Sequence, residues 1–273
     1  MEEKKKKKPD APKRKVDKAT LKRMALWKLA AVGATVLMCG ILLLYLVVDE
    51  PSQAELTIID YARKNKISAL QYPEELVKLL EDNPETKDFV LNYPFREEKP
   101  EINLKNYDLK NGMPTLMQWD RRWGYMEYGD GMVCSYGSGP LCLAMAGYYV
   151  TERADFYPDR VVKFARDNDF YTPGSGTKWT LISVGGPALG LDVKELAPVE
   201  EKVAAYLKAK IPLIAVVSGE DFASDSHFIV LWGYQDGRIK IVDPYSGVNT
   251  GREWAFEDLV GQIKNLWVIQ EKV

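Results

Sequence analysis

The chain has 273 residues, of which 46% are hydrophobic and 28% are charged, and its formal net charge is −2. This length allows one sizeable domain with accessory segments, and the ordinary globular composition indicates that the bulk of the chain folds. A single histidine and three cysteines exclude both a disulfide framework and a zinc site built from Cys and His ligands. We therefore expect no metal and no other cofactor.

The near-neutral total charge hides a basic N-terminus, because residues 1–28 carry ten Lys and two Arg against two Glu and two Asp. This tail has no apolar period and is predicted to be disordered. Residues 29–48 follow as 20 positions without a charge. At 1.5 Å per residue such a run crosses a hydrocarbon core of about 30 Å, so we expect a transmembrane anchor.

The basic flank predicts a cytoplasmic N-terminus and a single-pass protein of the cell membrane, with residues 49–273 outside the cell. The alternative is a cleaved signal peptide, whose apolar region would be about 7–15 residues long and would end at small residues. The longer run, which ends in Leu-Val-Val-Asp, favours the anchor. Because topology explains the basic block, no nucleic-acid partner is expected.

Residues 54–95 contain apolar positions at helical spacing and predict a small helical stalk, either a spacer or a cover over a cleft. Residues 96–112 are polar and predict a linker. Residues 113–273 are expected to form the main domain. Its helices are predicted at 139–151, 158–168, 177–189 and 199–209, and its strands at 212–217, 228–234, 238–242 and 266–269. Helices followed by strands predict an α+β domain with an antiparallel sheet.

The last predicted hairpin brings a histidine and an aspartate together. If residues 235–237 form a three-residue loop with Gly237 left-handed, Ile229 faces Asp243. His227 then lies on the same face as Ile229 and within reach of Asp243. A two-residue turn would shift the register by one and send the two side chains to opposite faces. We therefore expect the three-residue loop, and a His–Asp pair that can orient and stabilise an imidazolium.

A nucleophile position precedes this pair in the chain. Ser138 lies between Gly137 and Gly139, and Pro140 suits the first turn of the apolar helix that follows. The dipole and unpaired amides of a helix N-terminus favour a nucleophilic anion and bind an oxyanion. The order Ser138, His227, Asp243 therefore predicts a catalytic triad frame.

Four ordered segments carry a resemblance to a known family: residues 118–125 (QWDRRWGY), 137–145 (GSGPLCLAM), 227–231 (HFIVL) and 243–244 (DP). Through them residues 113–269 resemble the bacteriocin-leader-peptidase-like family, family thirty-nine of the cysteine peptidases in the papain-like superfamily, in its free-standing, membrane-anchored type. The resemblance implies a papain-like fold whose N-terminal helices pack on an antiparallel sheet, here preceded by one transmembrane helix and a small helical stalk.

The resemblance also implies roles for the site residues and a partner. Gln118 would supply the oxyanion-hole amide, position 138 the nucleophile, His227 the general base and Asp243 the group that orients the histidine. The partner would be a peptide or protein, as substrate or ligand, outside the cell.

The chain departs from the family pattern at the nucleophile, where the family has cysteine and this chain has Ser138. Ser226 also stands before His227, where the family usually has glycine. Serine is much the weaker nucleophile in a site arranged for a thiolate, so we favour a proteolytically silent or weak relative that binds peptide.

Other interpretations stay open. The domain could be an active hydrolase of secreted or cell-wall peptides, acting through Ser138 or through a displaced Cys134 or Cys142. The serine could also replace a catalytic cysteine by design. A peptidoglycan amidase of a related papain-like family would have a similar layout.

Overall fold

The computed structural model describes residues 17–47, 50–222 and 226–272, with side chains up to residue 40 in the first of these ranges. The described residues fall into two compact units, one ending at Pro51 and the other beginning at Ser52. Each unit is described by itself.

The first unit is a single helix, α1 (Lys18–Val47). Its stretch Lys18–Gly40 is long and apolar enough to cross a membrane by length and composition. Residues 1–16 of the predicted basic tail and Val48 of the predicted anchor lie outside the described residues. The prediction of disorder up to residue 28 is wrong, because α1 begins ten residues earlier. Asp17 caps it by accepting hydrogen bonds from the N–H groups of Ala19 (2.7 Å) and Thr20 (2.8 Å).

The second unit contains ten short to medium helices and ten strands among its described residues. The helices are α2 (Gln53–Asn65), α3 (Glu74–Asp82), α4 (Lys87–Asn92), α5 (Val133–Tyr136), α6 (Ser138–Thr151), α7 (Pro158–Asp167), α8 (Gly186–Ala188), α9 (Glu200–Lys208), α10 (Gly247–Gly251) and α11 (Phe256–Val260). The strands are β1 (Glu127–Tyr128), β2 (Gly131–Met132), β3 (Tyr171–Thr172), β4 (Gly176–Thr177), β5 (Leu191–Glu195), β6 (Leu213–Val217), β7 (His227–Gln235), β8 (Arg238–Val242), β9 (Glu253–Ala255) and β10 (Ile263–Glu271).

Six of the strands form one antiparallel sheet in the order β5-β10-β6-β7-β8-β9. Successive residues of β6 point to opposite faces, so Ile214 and Val216 join the core under α6 while Leu213 and Ala215 join a second core with α9. Helices thus cover both faces of the sheet. This is the α+β class that the sequence predicts, with the N-terminal helices packed on an antiparallel sheet.

The main sheet and one of the predicted helices differ from the sequence-based expectation. The four predicted strands are present as β6, β7, β8 and β10, whereas β5 and β9 at the sheet edges were not predicted because they are short or polar. The helix predicted at 177–189 is reduced to a π-helical turn (Leu181–Gly185) followed by α8. Gly185, Gly186 and Pro187 account for this, since glycine weakens a helix and proline removes a backbone donor.

The predicted stalk is present as α2, α3 and α4, and these helices share a hydrophobic cluster with the main domain. Leu76 and Val90 are fully buried in this cluster, which also includes Cys134. Phe89 stacks on Tyr125 with ring centroids 4.1 Å apart, and the Tyr125 hydroxyl donates to the Phe89 carbonyl at 2.6 Å. The segment is therefore not a detached spacer.

Residues 96–112, the predicted linker, contain no helix or strand. The segment nevertheless contributes to the main core, because the Leu104 side chain is fully buried there.

Candidate active site

The hairpin that joins β7 to β8 turns at Asp236 and Gly237. Both residues have positive φ angles, 51° and 77°, and Gln235 pairs with Arg238. This is the two-residue turn for which Asp-Gly is a preferred pair. The predicted three-residue loop is therefore wrong.

A β-bulge at Trp232 restores the predicted pairing at the other end of the hairpin. The register shifts between Leu231 and Gly233, so that Val230 pairs with Val242. One step further along, Ile229 lies opposite Asp243, as the sequence predicts. The extra residue that was expected in the loop is located inside the strand, where it also strengthens the local twist.

The bulge thus allows His227 and Asp243 to meet. The Nε2 atom of His227 lies 2.7 Å from Oδ1 of Asp243, and both side chains are buried. Oδ1 also accepts the N–H of Tyr245 at 2.9 Å, and Oδ2 accepts the Asn249 side-chain amide at 2.9 Å. Because Nε2 is engaged, Nδ1 is the ring atom that remains for a reacting group.

Opposing effects set the charge state of Asp243. Burial raises the pKa of its carboxyl, but the His227 ring, the Asn249 amide and the Tyr245 N–H together lower this pKa below its ordinary value of 3.8. The group is therefore a carboxylate near neutral pH. A buried carboxylate on Nε2 fixes the tautomer of His227 and stabilises the imidazolium form, as the orienting member of a triad does.

Ser138 is the first residue of α6 and lies beside the beginning of β7. Its hydroxyl oxygen accepts the N–H of Phe228, the residue after the histidine, at 3.4 Å. The two flanking glycines have steric reasons: a Cβ at Gly137 would lie 2.6 Å from the Val133 side chain, and one at Gly139 would lie 2.6 Å from the Thr177 side chain. The N–H groups of Ser138 and Gly139 belong to the first turn, where intrahelical acceptors are lacking.

Gln118 also lies at the site, but its side-chain amide nitrogen is not free to act as the expected oxyanion-hole donor. Its Nε2 donates to the carbonyls of Val133 (3.1 Å) and Cys134 (3.2 Å). Its Oε1 is buried and has no hydrogen-bond partner among the residues that the structure describes. Exchanging the positions of Nε2 and Oε1 would place Oε1 against two carbonyl oxygens, which would repel it, so the described orientation is the favoured one. In this arrangement Gln118 offers an acceptor, not an oxyanion-hole donor, and the backbone amides at the start of α6 are the donors that remain.

These residues face a cleft with a volume of about 750 Å³. Ser138, His227 and Gln118 line its floor. One side is formed by α3, and another by the glycine-containing β3–β4 hairpin. The remaining lining residues are Ser135, Tyr136, Ser226 and Tyr245.

A family comparison agrees with this geometry. The model of the Peptidase_C39 like family matches residues 114–273, more than half of the chain. The chain belongs to this family. Its C39-like domain therefore has the papain-like cysteine peptidase fold that the sequence motifs imply. No curated protein matches the chain.

Two solved structures of the same family are similar to this chain. The peptidase domain of Streptococcus ComA, a bifunctional ABC transporter involved in quorum sensing, has 18% identity and a TM-score of 0.40, over 54% of this chain and 99% of that domain. A C39-like peptidase from Bacillus anthracis has 16% identity and a TM-score of 0.40, over 64% of this chain and 99% of that one.

The two cysteines of the C39-like domain are free thiols and fully buried. Burial, with a contribution from the Glu75 charge, raises the pKa of Cys134 to about 12. Burial also raises the pKa of Cys142 well above its ordinary value, and Asp243 adds to the effect. Both thiols are therefore protonated and out of reach of substrate, which speaks against a displaced cysteine nucleophile. The two do not form a disulfide.

Two contributors to the site of the C39-like domain are identified only by the structure, although the sequence left open that residues 54–95 cover a cleft. Asn249, which holds Asp243, follows it by six residues, and no local pattern links the two. Helix α3 lies outside the matched segment, so its place in the cleft depends on tertiary packing alone. Among the described residues, no group of three or more His, Cys, Asp or Glu is placed to hold a metal ion.

Proposed function

We propose that this protein is a membrane-anchored, extracellular, peptide-binding member of the C39-like family in which Ser138 stands at the nucleophile position and proteolysis is lost or severely reduced. The observation that carries the proposal is the buried His227–Asp243 pair, Nε2 to Oδ1 2.7 Å, beside a helix that begins with serine. This geometry supports His227 as the base and Asp243 as its orienting carboxylate, next to a nucleophile position that carries a hydroxyl and no thiol.

Two features support low proteolytic activity. A hydroxyl is far harder than a thiol to convert to its anion near neutral pH, so the same base activates Ser138 much less than it would a cysteine. The Gln118 amide donates to two backbone carbonyls and presents Oε1 instead. Loss of one oxyanion-hole donor typically lowers kcat by about 10²–10³-fold.

Peptide binding is supported by the cleft that remains. Its volume of about 750 Å³ is within the range of ligand sites, and it combines apolar surface with polar groups. Neither the volume of the cleft nor its mixed lining depends on which atom the nucleophile carries.

The anchor and its orientation are part of the proposal. Helix α1 contains a stretch, Lys18–Gly40, of sufficient length and apolarity to span a bilayer. The basic residues that precede the apolar run support a cytoplasmic N-terminus, because positive flanks are retained on the cytoplasmic side.

The test compares the full-length protein with its Ser138→Cys variant on a diverse peptide library, read by mass spectrometry. We expect no cleavage by the wild type and measurable cleavage by the variant, because the thiolate restores the missing nucleophile. The double variant Ser138→Cys/His227→Ala is the matched control and should cleave nothing. Binding of the library peptides is measured with the same proteins.

The alternatives have separate outcomes. Cleavage by the wild type, together with labelling of Ser138 by a serine-reactive phosphonate, would overturn the proposal in favour of an active hydrolase. Digestion of purified cell-wall material would favour an amidase instead. If the wild type neither cleaves nor binds any peptide, the peptide-binding function fails.

A further inference from the structure

Helix α3 forms a wall of the cleft that the C39-like domain does not itself supply. Four of its last eight residues line the cleft: Glu75, Lys78, Leu79 and Asp82. The family match begins at residue 114, so α3 belongs to a segment outside it. The wall is therefore supplied by a segment outside the family match.

The wall is held in place by polar contacts to the loops that carry the site. The Asn83 side-chain amide donates to the Tyr245 carbonyl at 2.7 Å, two residues after Asp243. One Glu75 oxygen accepts the N–H of Met132 at 2.9 Å, just before the segment that leads to Ser138. Both ends of α3 are thus tied to the C39-like domain.

The two acidic side chains of the wall share the cleft with two tyrosines, Tyr136 and Tyr245. Burial raises the pKa of Tyr245 to about 12, and the Asp82 charge adds to this effect. Burial and then the Glu75 charge also raise the pKa of Tyr136. Both phenols remain neutral, so the cleft combines carboxylates with uncharged aromatic rings, and both kinds of group attract an ammonium or guanidinium group.

Two observations show that acceptor capacity in the cleft is unused. The Asp82 carboxylate makes no hydrogen bond or ion pair with any residue in the described part of the chain. Gln118, which lines the same cleft and is 1% exposed, has a buried Oε1 atom without a hydrogen-bond partner among the described residues. A buried acceptor without a partner is costly, so a ligand that supplies N–H donors would stabilise the site.

We propose that α3 is the specificity-determining wall of the cleft and selects extended peptides that carry Lys or Arg side chains, which bind at Asp82 and Glu75. This inference rests on the proposed peptide-binding function. The two carboxylates are seven positions apart, or about 10.5 Å along the helix, which corresponds to about three residues of an extended peptide. Lys78 lies between them and disfavours a third positive charge at the centre.

The test measures binding of fluorescein-labelled decapeptides to the full-length protein by anisotropy. Three peptides share one Ala-Ser backbone and carry two Lys, two Gln or two Glu residues four positions apart, so that both side chains lie on one face of the extended peptide. We expect the Lys peptide to bind about ten-fold more tightly than the Gln peptide at low salt, and this ratio to fall as salt is added.

Substitutions in α3 test whether the preference for the Lys peptide depends on this helix. Asp82→Asn should weaken the Lys peptide by about five-fold and leave the Gln peptide unchanged, since only the charged side chain loses a partner. Glu81→Gln is the matched control, because Glu81 is the exposed neighbour that does not line the cleft. It should change either affinity by less than about two-fold. Asp82→Lys should instead favour the Glu peptide.

Three results would overturn the inference. Equal affinity for the Lys and Gln peptides would mean that α3 does not select peptides by charge, while the proposed peptide-binding function would stand. Equal effects of Asp82→Asn and Glu81→Gln would assign the preference to the overall charge of the protein. No binding of any peptide in the series, together with none in the library, would remove the proposed function and this inference with it.

Discussion

Asp243 places a negative charge where almost no water reaches it. Its carboxylate is 1% exposed and accepts hydrogen bonds from the His227 ring, the Asn249 side chain and the Tyr245 backbone. A charge buried in this way is stable only with such partners, and losing one partner is costly. The Asp243 carboxylate is thus a buried charge whose hydrogen bonds are satisfied.

The variant Asp243→Asn tests the charge of this pair through the pH dependence of stability. The pKa of the folded carboxyl is lowered from 3.8, so its contribution to the free energy of unfolding is fully present above that value and is lost as the pH falls through the lower, folded pKa. We expect the wild type to exceed the variant in stability at about pH 5 and this difference to shrink towards about pH 2. Urea unfolding followed by tryptophan fluorescence measures it. A difference that stays constant to pH 2 would contradict the assignment.

At the scale of elements, the β7–β8 hairpin determines whether the His–Asp pair exists. Its tight turn at Asp236 and Gly237 would by itself place His227 and Asp243 on opposite faces. The bulge at Trp232 adds one residue to β7 and reverses that outcome. The two-residue turn and the extra residue in β7 therefore act together. Both are needed to place His227 and Asp243 on the same face of the sheet.

Gly237→Ala tests the turn, and Gly261→Ala is its control. A Cβ at either position meets no atom within 4 Å, so the two substitutions differ in backbone conformation and not in crowding. Gly237 has a φ of 77°, where alanine costs about 1–2 kcal/mol, whereas Gly261 has a φ of −64°, where alanine is neutral or stabilising by up to about 1 kcal/mol. The free energy of unfolding in urea measures both. Equal losses would argue against the left-handed turn.

At the scale of the molecule, residues 52–95 and the C39-like domain form one compact unit. Their shared cluster includes Phe89 and Tyr125, and the wall of the cleft is continuous with it. The wall through which we propose that peptides are recognised therefore depends on the stability of the N-terminal helices.

Phe89→Ala tests this coupling. Phe89 is 2% exposed and stacked on Tyr125, so its truncation should cost about 3–5 kcal/mol of unfolding free energy. Phe95→Ala removes the same atoms from a side chain that is 52% exposed, and we expect a loss below about 0.5 kcal/mol. Urea unfolding gives the energies, and limited proteolysis shows whether residues 52–95 are released. Similar losses in both variants would mean that the segment is not part of the folded core.

Much of the fold was predictable because its signals are local. The uncharged run of residues 29–48, the apolar strands and the glycine-flanked start of α6 each reflect a short-range rule of length, period or helix geometry. The order of Ser138, His227 and Asp243 in the chain also indicated the resemblance to a known family. These features needed no knowledge of which segments meet.

Three features of the site depended on the tertiary structure. The bulge at Trp232, the direction of the Gln118 amide and the position of α3 in the cleft each result from contacts between residues far apart in the chain. No local period encodes such contacts, because the free energy that selects them comes from packing and from satisfying buried polar groups. By itself the sequence predicted which residues can form the site, and it has Ser138 where the family resemblance implies the nucleophile. Only the tertiary structure decided how the His–Asp pair meets and which acidic helix borders the cleft.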